Sequence, residues 1–182
     1  MENIRYILND LSGIENEVNV PAKRLCTFKA GGDATVVFYP KNTEELKNLT
    51  RYFAERDIKY TVIGRGANTI ISDDGVPWPL ISLKNFDRLE IFGNNITAGA
   101  GVMNTRLARF AEENSLSGLE FVFGIPSTVG GLVRMNAGAF GREINDVLVS
   151  CEILTPAGEV ELLKPKMSYR FSEIDGIVLS AT

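Results

Sequence analysis

The sequence predicts an α+β fold from three observations. Three stretches carry apolar residues at helical spacing, and short β-branched runs bounded by Gly, Pro, Asn and Asp lie between them. The order runs from strands through helix to strands. At 182 residues, 45% hydrophobic and 23% charged, the chain suffices for one domain or two small lobes around a real core. No Pro/Gly/Ser linker sets domains apart, and the pattern changes near residue 84. The expected division is lobe one at about 1–83 and lobe two at about 84–182.

In MENIRYILNDLSGIENEV, Ile4, Ile7, Leu8 and Leu11 predict a short amphipathic helix before Gly13. TFKAGGDATVVFYP reads as strand, glycine bend and strand, closed by Pro40. Leu46, Leu49 and Phe53 make NTEELKNLTRYFAERDIKY a helix, capped by Asn42 or Thr43, with Glu44 and Glu45 at its positive end. KYTVIG is a strand, and after the turn GRGAN the run TIIS, bounded by DDG, is another. LISLKNFDRLEIFGNNITAGAG gives short strands broken at GNN. NTRLARFAEENSL gives a helix with Leu107, Phe110 and Ala111 on one face and Gly118 after its end. DVLVSCEILTPAGEVELLK is a hairpin turning at TPAG, and DGIVLSAT a final strand.

Charge and composition exclude several functions. The formal charge of −4 contains no block of like charges, so neither nucleic acid nor an anionic membrane is an expected partner. There is no histidine, and Cys26 and Cys151 lie far apart, which removes zinc sites and Ser-His or Cys-His catalysis. No metal is expected, and both thiols read as buried and inert. No apolar run reaches the roughly 18 residues of a membrane span, and the polar start is unlike a secretory signal. The expected location is cytoplasmic.

Two glycine-rich tracts could carry chemistry. GRGAN, residues 64–68, succeeds a strand as a ligand-binding turn does, and serves equally well as a plain bend. A dinucleotide-binding Rossmann turn needs a helix next, and the expected strand TIIS argues against one. GIPSTVGGLVRMNAGAFG, residues 124–141, holds five glycines in an apolar setting, a costly choice unless something approaches the backbone closely. Ser127, Thr128 and Asn136 add neutral hydrogen-bonding groups suited to a planar polar ring or a phosphate. Close helix packing is the alternative.

The order TFKAGGDA, VIGRGANTIISDDG, LSGLEFVFGIPSTVGGLVRMNAGAFG and SYRFS resembles the UDP-N-acetylenolpyruvoylglucosamine reductase (UDP-N-acetylmuramate dehydrogenase, MurB) family over nearly the whole chain. The resemblance implies a two-lobed FAD-binding domain of the vanillyl-alcohol-oxidase (PCMH) type, with FAD held noncovalently between the lobes. It implies that Gly64, Arg65, Gly66, Ala67, Asn68 and Thr69 form the pyrophosphate loop, Arg65 and Ala67 standing where Gly and Ser are commoner. Gly124, Ile125, Pro126, Ser127, Thr128, Gly130 and Gly131 line the flavin and its phosphates, with Ala137 and Gly138 beside them. Arg170, within SYRFS, is the catalytic assignment: it lies near the substrate carboxylate and polarises the enolpyruvyl group, as a guanidinium can. Without the resemblance Arg170 reads as a surface salt bridge. Ser172 reads as satisfying a local turn and stays unassigned.

The implied reaction is the NADPH-dependent reduction of UDP-N-acetylglucosamine enolpyruvate to UDP-N-acetylmuramate, in peptidoglycan precursor synthesis. Members continue into a further substrate-binding domain that supplies a serine proton donor and a glutamate. Neither has a counterpart before Thr182, so the expectation is a shortened chain that lacks this domain. The alternatives are an FAD-binding module with little or no reductase activity, and a nucleotide-sugar-binding or structural domain without flavin.

Overall fold

The computed structural model describes residues 4–182; residues 1–3, the start of the first predicted lobe, lie outside the described residues. The first helix, α1 (Ile4–Asp10), turns Ile7 into the core, and Leu11 is buried just beyond its end. A mixed sheet is then built from β1 (Asn16–Val20), β2 (Ala34–Phe38), β3 (Thr61–Ile63) and β4 (Leu80–Ser82) in the order β1-β2-β4-β3. The β1–β2 pair is antiparallel, and β4 runs parallel to both β2 and β3. Helix α2 (Ala22–Leu25) lies in the β1–β2 connection and α3 (Thr43–Glu55) in the β2–β3 crossover.

Helix α3 forms where the sequence predicts it. Asn42 Oδ1 accepts from Glu45 N at 2.9 Å while the Glu45 carboxylate accepts from Lys41 N at 2.8 Å, which satisfies two otherwise orphaned donors. Its buried face carries Leu46, Leu49 and Phe53, with Phe53 edge-on to Phe38 at 5.9 Å.

The second half contributes β5 (Leu89–Phe92), β6 (Asn95–Gly99), α4 (Asn104–Glu113) and α5 (Val129–Arg134). A small hairpin comes next, β7 (Gly138–Ala139) with β8 (Arg142–Glu143), and then β9 (Cys151–Leu154) pairs with β10 (Val160–Leu163). A second small hairpin, β11 (Met167–Ser168) with β12 (Phe171–Ser172), precedes β13 (Ile177–Ala181). The larger strands make an antiparallel sheet in the order β10-β9-β13-β6-β5. One apolar cluster unites the halves, joining Val36, Phe38 and Leu49 to Val102, Leu132, Ile153 and Val178.

Two expected strands do not form. Residues 27–28 make a turn, and residues 29–30 and 69–72 form neither strand nor helix. Ile71 is buried against Ala22 and Cys26, and Ser72 O accepts from Gly32 N at 2.8 Å, so the TIIS backbone is tied to the glycine bend rather than to a ladder. The absence of a helix after GRGAN still sets this loop apart from a Rossmann turn. Both cysteines are buried and free, and burial raises the Cys151 thiol pKa, as expected of an inert thiol.

Candidate functional site

The loop after β3 is shaped by Gly66. Its φ of +66° is open to glycine, and a Cβ there would lie 2.0 Å from Leu25 O and 2.6 Å from Cys26 Cα. Gly66 O accepts from Thr27 N at 3.3 Å, so the loop is pinned to the end of α2. Among the described residues, the amides of 65–69 find no protein acceptor. A run of such amides on a glycine turn is an anion cradle.

The second tract meets this loop face to face. Asn104, fully buried at the start of α4, donates its side-chain amide to Val122 O and Ile125 O and its backbone N–H to Ser127 O at 3.2 Å. Val129 N and Gly130 N then donate to Val102 O and Ala100 O, both at 2.9 Å. This fixes residues 125–130 against the segment that follows β6 and brings Thr128 so near Gly64 that a Cβ on Gly64 would lie 2.8 Å from Thr128 Oγ1.

Arg170 sits at the tip of the β11–β12 hairpin at φ +54° and donates to Asn68 Oδ1 at 3.1 Å. No carboxylate pairs with it among the described residues, so it is not the surface salt bridge that the bare sequence suggests. Three side chains hold the hairpin and its exit at Ile174 to the C-terminal end of α5. Asn136 Nδ2 donates to Ser168 O at 3.1 Å, Ser172 Oγ to Arg134 O at 2.8 Å, and Arg134 to Ile174 O. Asn136 also accepts from Asn145 N at 3.0 Å. Ser172 therefore reaches across the fold instead of closing a local turn.

Around these parts lie a cleft of about 1270 Å³ and a second of about 840 Å³, joined at a neck where Val62, Gly64, Arg65, Gly131 and Arg134 line both. Gly66, Ala67, Asn68, Thr69, Ile125, Pro126, Ser127, Ala137, Gly138 and Arg170 border the smaller cleft, and Thr128 and Gly130 the larger. Gly124 alone of the expected residues borders neither. The larger cleft carries seven basic side chains against three acidic ones, in a chain whose formal charge is −4. At its far end the Arg24 guanidinium holds the Glu17 carboxyl below the usual carboxylate range. Together the clefts exceed the roughly 300–1,000 Å³ of an ordinary ligand pocket, which suits a long ligand crossing the neck.

Residues 34–164 match the FAD binding domain family. The chain belongs to that family. The UDP-N-acetylenolpyruvoylglucosamine reductase of Listeria welshimeri is 41% identical over 175 residues, covering 93% of this chain and 59% of the relative. A crystal structure of the same-named enzyme from Thermus caldophilus superposes with a TM-score of 0.75 at 30% identity, over 92% of this chain and 60% of that one. A VAO-type flavoprotein from Myceliophthora thermophila shares the fold at 14% identity, with a TM-score of 0.64 over 82% of this chain and 31% of that one. These findings bear out the family resemblance and the α+β, PCMH-type fold expected from the motifs. The chain spans about three-fifths of the length of the reductases it matches.

The residues of this FAD binding domain fit the cofactor. The free amides of 65–69, the close backbone packing at Gly130 and the cationic neck are what a dinucleotide diphosphate requires. Sequence reasoning misses Arg134, Ser172 and Asn104, whose contacts lie 40, 38 and 21 residues away in the chain. Asn136 stands out in the sequence only as a polar group; its φ of +41° is a backbone setting that Asn tolerates better than most residues. No helix among the described residues is long and apolar enough to cross a membrane.

Proposed function

We propose that this chain is the FAD-binding portion of a UDP-N-acetylenolpyruvoylglucosamine reductase, which reduces UDP-N-acetylglucosamine enolpyruvate to UDP-N-acetylmuramate with NADPH in the cytoplasm. The observation that carries the reading is the Asn68–Arg170 hydrogen bond, which joins the glycine loop to the hairpin arginine across 102 residues on the rim of one cleft. FAD, when bound, supplies the hydride chemistry.

The chain's own residues bind and orient. The backbone amides of Arg65, Gly66, Ala67, Asn68 and Thr69 take the diphosphate. Ile125, Pro126, Ser127, Thr128, Gly130, Gly131, Ala137 and Gly138 shape the cofactor wall, with Gly124 at the start of that segment. One edge of the Arg170 guanidinium is held by Asn68, and its remaining N–H groups are directed to a substrate carboxylate, where they stabilise enolate-like charge. We divide the domain into lobes at about residues 1–83 and 84–182, a reading supported by the two larger sheets, which use residues 16–82 and 89–181.

The test is spectroscopic. Purified protein should take up FAD, NADPH should bleach the bound flavin, and UDP-N-acetylglucosamine enolpyruvate should restore its colour. Failure to take up FAD refutes the proposal. The second reading is an FAD-binding module without reductase turnover. It is the better one if flavin binds and the substrate never restores the colour.

A further inference from the structure

We propose that Arg65 and Arg134 form a two-arginine clasp at the neck, which takes the diphosphate of the bound dinucleotide and so ties the two halves of the fold together. The inference rests on the reading of the clefts as an FAD site and adds to it a side-chain role and a residue, Arg134, to which the resemblance assigns no role. Arg65 lies just after β3 of the mixed sheet, whereas Arg134 ends α5, which packs against β13 and β6 of the antiparallel sheet. Both line both clefts.

Their charges are uncompensated within the protein. Arg24, Lys84 and Arg106 in the same cleft pair with Glu17, Glu15 and Asp87, but neither Arg65 nor Arg134 has a carboxylate partner among the described residues. Arg134 spends one N–H group on Ile174 O, and a guanidinium has five. An anion carrying two phosphates, each a fork-shaped acceptor, matches two guanidinium groups contributed by the two halves of the fold. The backbone cradle at 65–69 is set separately, by Gly66 packing on Leu25 and Cys26, so the Arg65 side chain can be removed without disturbing the loop.

The experiment titrates FAD against the full chain at several salt concentrations, by quenching of flavin fluorescence. Arg65→Gln and Arg134→Gln should each weaken FAD binding by about tenfold at low salt and flatten its salt dependence, since an exposed charge contact is screened by ions. Arg65→Lys should recover part of the affinity. The thermal stabilisation conferred by FAD on wild-type protein should shrink in both variants. If wild-type protein binds FAD while Arg65→Gln keeps both its affinity and its salt slope, the clasp is wrong and the cofactor reading survives. If wild-type protein binds no FAD, the underlying reading falls with it. Arg65 makes no internal hydrogen bond among the described residues, so its variant decides the matter even where Arg134→Gln loses stability with its bond to Ile174.

Discussion

Replacing Gly66 with alanine tests the construction of the cofactor loop, and Gly93→Ala is its matched control. Both glycines sit at positive φ, +66° and +59°. An L-residue in that region costs about 1–2 kcal/mol. At Gly93, first residue of the β5–β6 turn, a new Cβ would have nothing within 4 Å, so the backbone term acts alone. At Gly66 the same methyl would lie 2.0 Å from Leu25 O and 2.9 Å from Leu25 C, backbone atoms that cannot rotate aside. Forcing it in adds about 1–3 kcal/mol of overpacking, and losing the Thr27 N–H to Gly66 O bond about 1 kcal/mol more. At about 2–4 °C per kcal/mol for a chain of this size, Gly93→Ala should lower Tm by about 4 °C and Gly66→Ala by about 10 °C or more. Only Gly66→Ala should also weaken FAD binding, by more than about tenfold. Thermal melting with and without FAD reads both quantities. Equal Tm losses for the two variants would refute the packing argument and leave φ as the sole cause.

Asn136→Ala removes two part-buried hydrogen bonds, to Ser168 O and from Asn145 N, so it should cost about 1–3 kcal/mol in urea unfolding. Phe140, 91% exposed at φ +54°, should give a protein about 1 kcal/mol more stable when replaced by glycine, read by Tm, whereas Arg170, also at +54°, gives up its bond to Asn68 on the same change, so its Tm should stay nearly unchanged. Arg170→Gly should nonetheless abolish the return of flavin colour on adding substrate. The Glu120 carboxylate accepts the Gly118 N–H through both oxygens, and that bond holds its pKa below the usual range. A depressed folded-state pKa contributes stability that is complete above the unfolded value and lost as pH falls through the folded one. Glu120→Gln should therefore flatten the acid limb of stability against pH, measured by urea midpoints.

Local signals are legible in the chain and relayed ones are not. Helix α3 announces itself through Asn42, Glu45 and the Leu46–Leu49–Phe53 stripe, all within one segment. The hairpins at Gly93 and at the TPAG turn carry their turn residues with them. TIIS has strand composition, yet its backbone partners are the glycines around position 32, some 40 residues earlier, and no periodicity reports such a pairing. Strand β1 escapes notice because NEVNV keeps most of its side chains half or fully exposed and puts Asn19 at φ +52°. At the site, the glycine tracts are visible because glycine is costly wherever it is not needed. Arg134 and Ser172 are not, since an arginine ending a short helix and a serine in a hairpin have ordinary local explanations.

The place of β13 sets an order on assembly. It lies between β9 and β6, so Ile177–Ala181 join two hairpins that otherwise share no strand pairing. During synthesis the β5–β6 and β9–β10 hairpins leave the ribosome first and wait, each with an open edge, for a segment made after both. Closing that gap brings residues 98–99 and 180–181 together, a long loop whose entropy must be met before any pairing rewards it. The antiparallel half should thus be the slow step of folding, and those waiting edges the point at which a nascent chain is most exposed to misassociation.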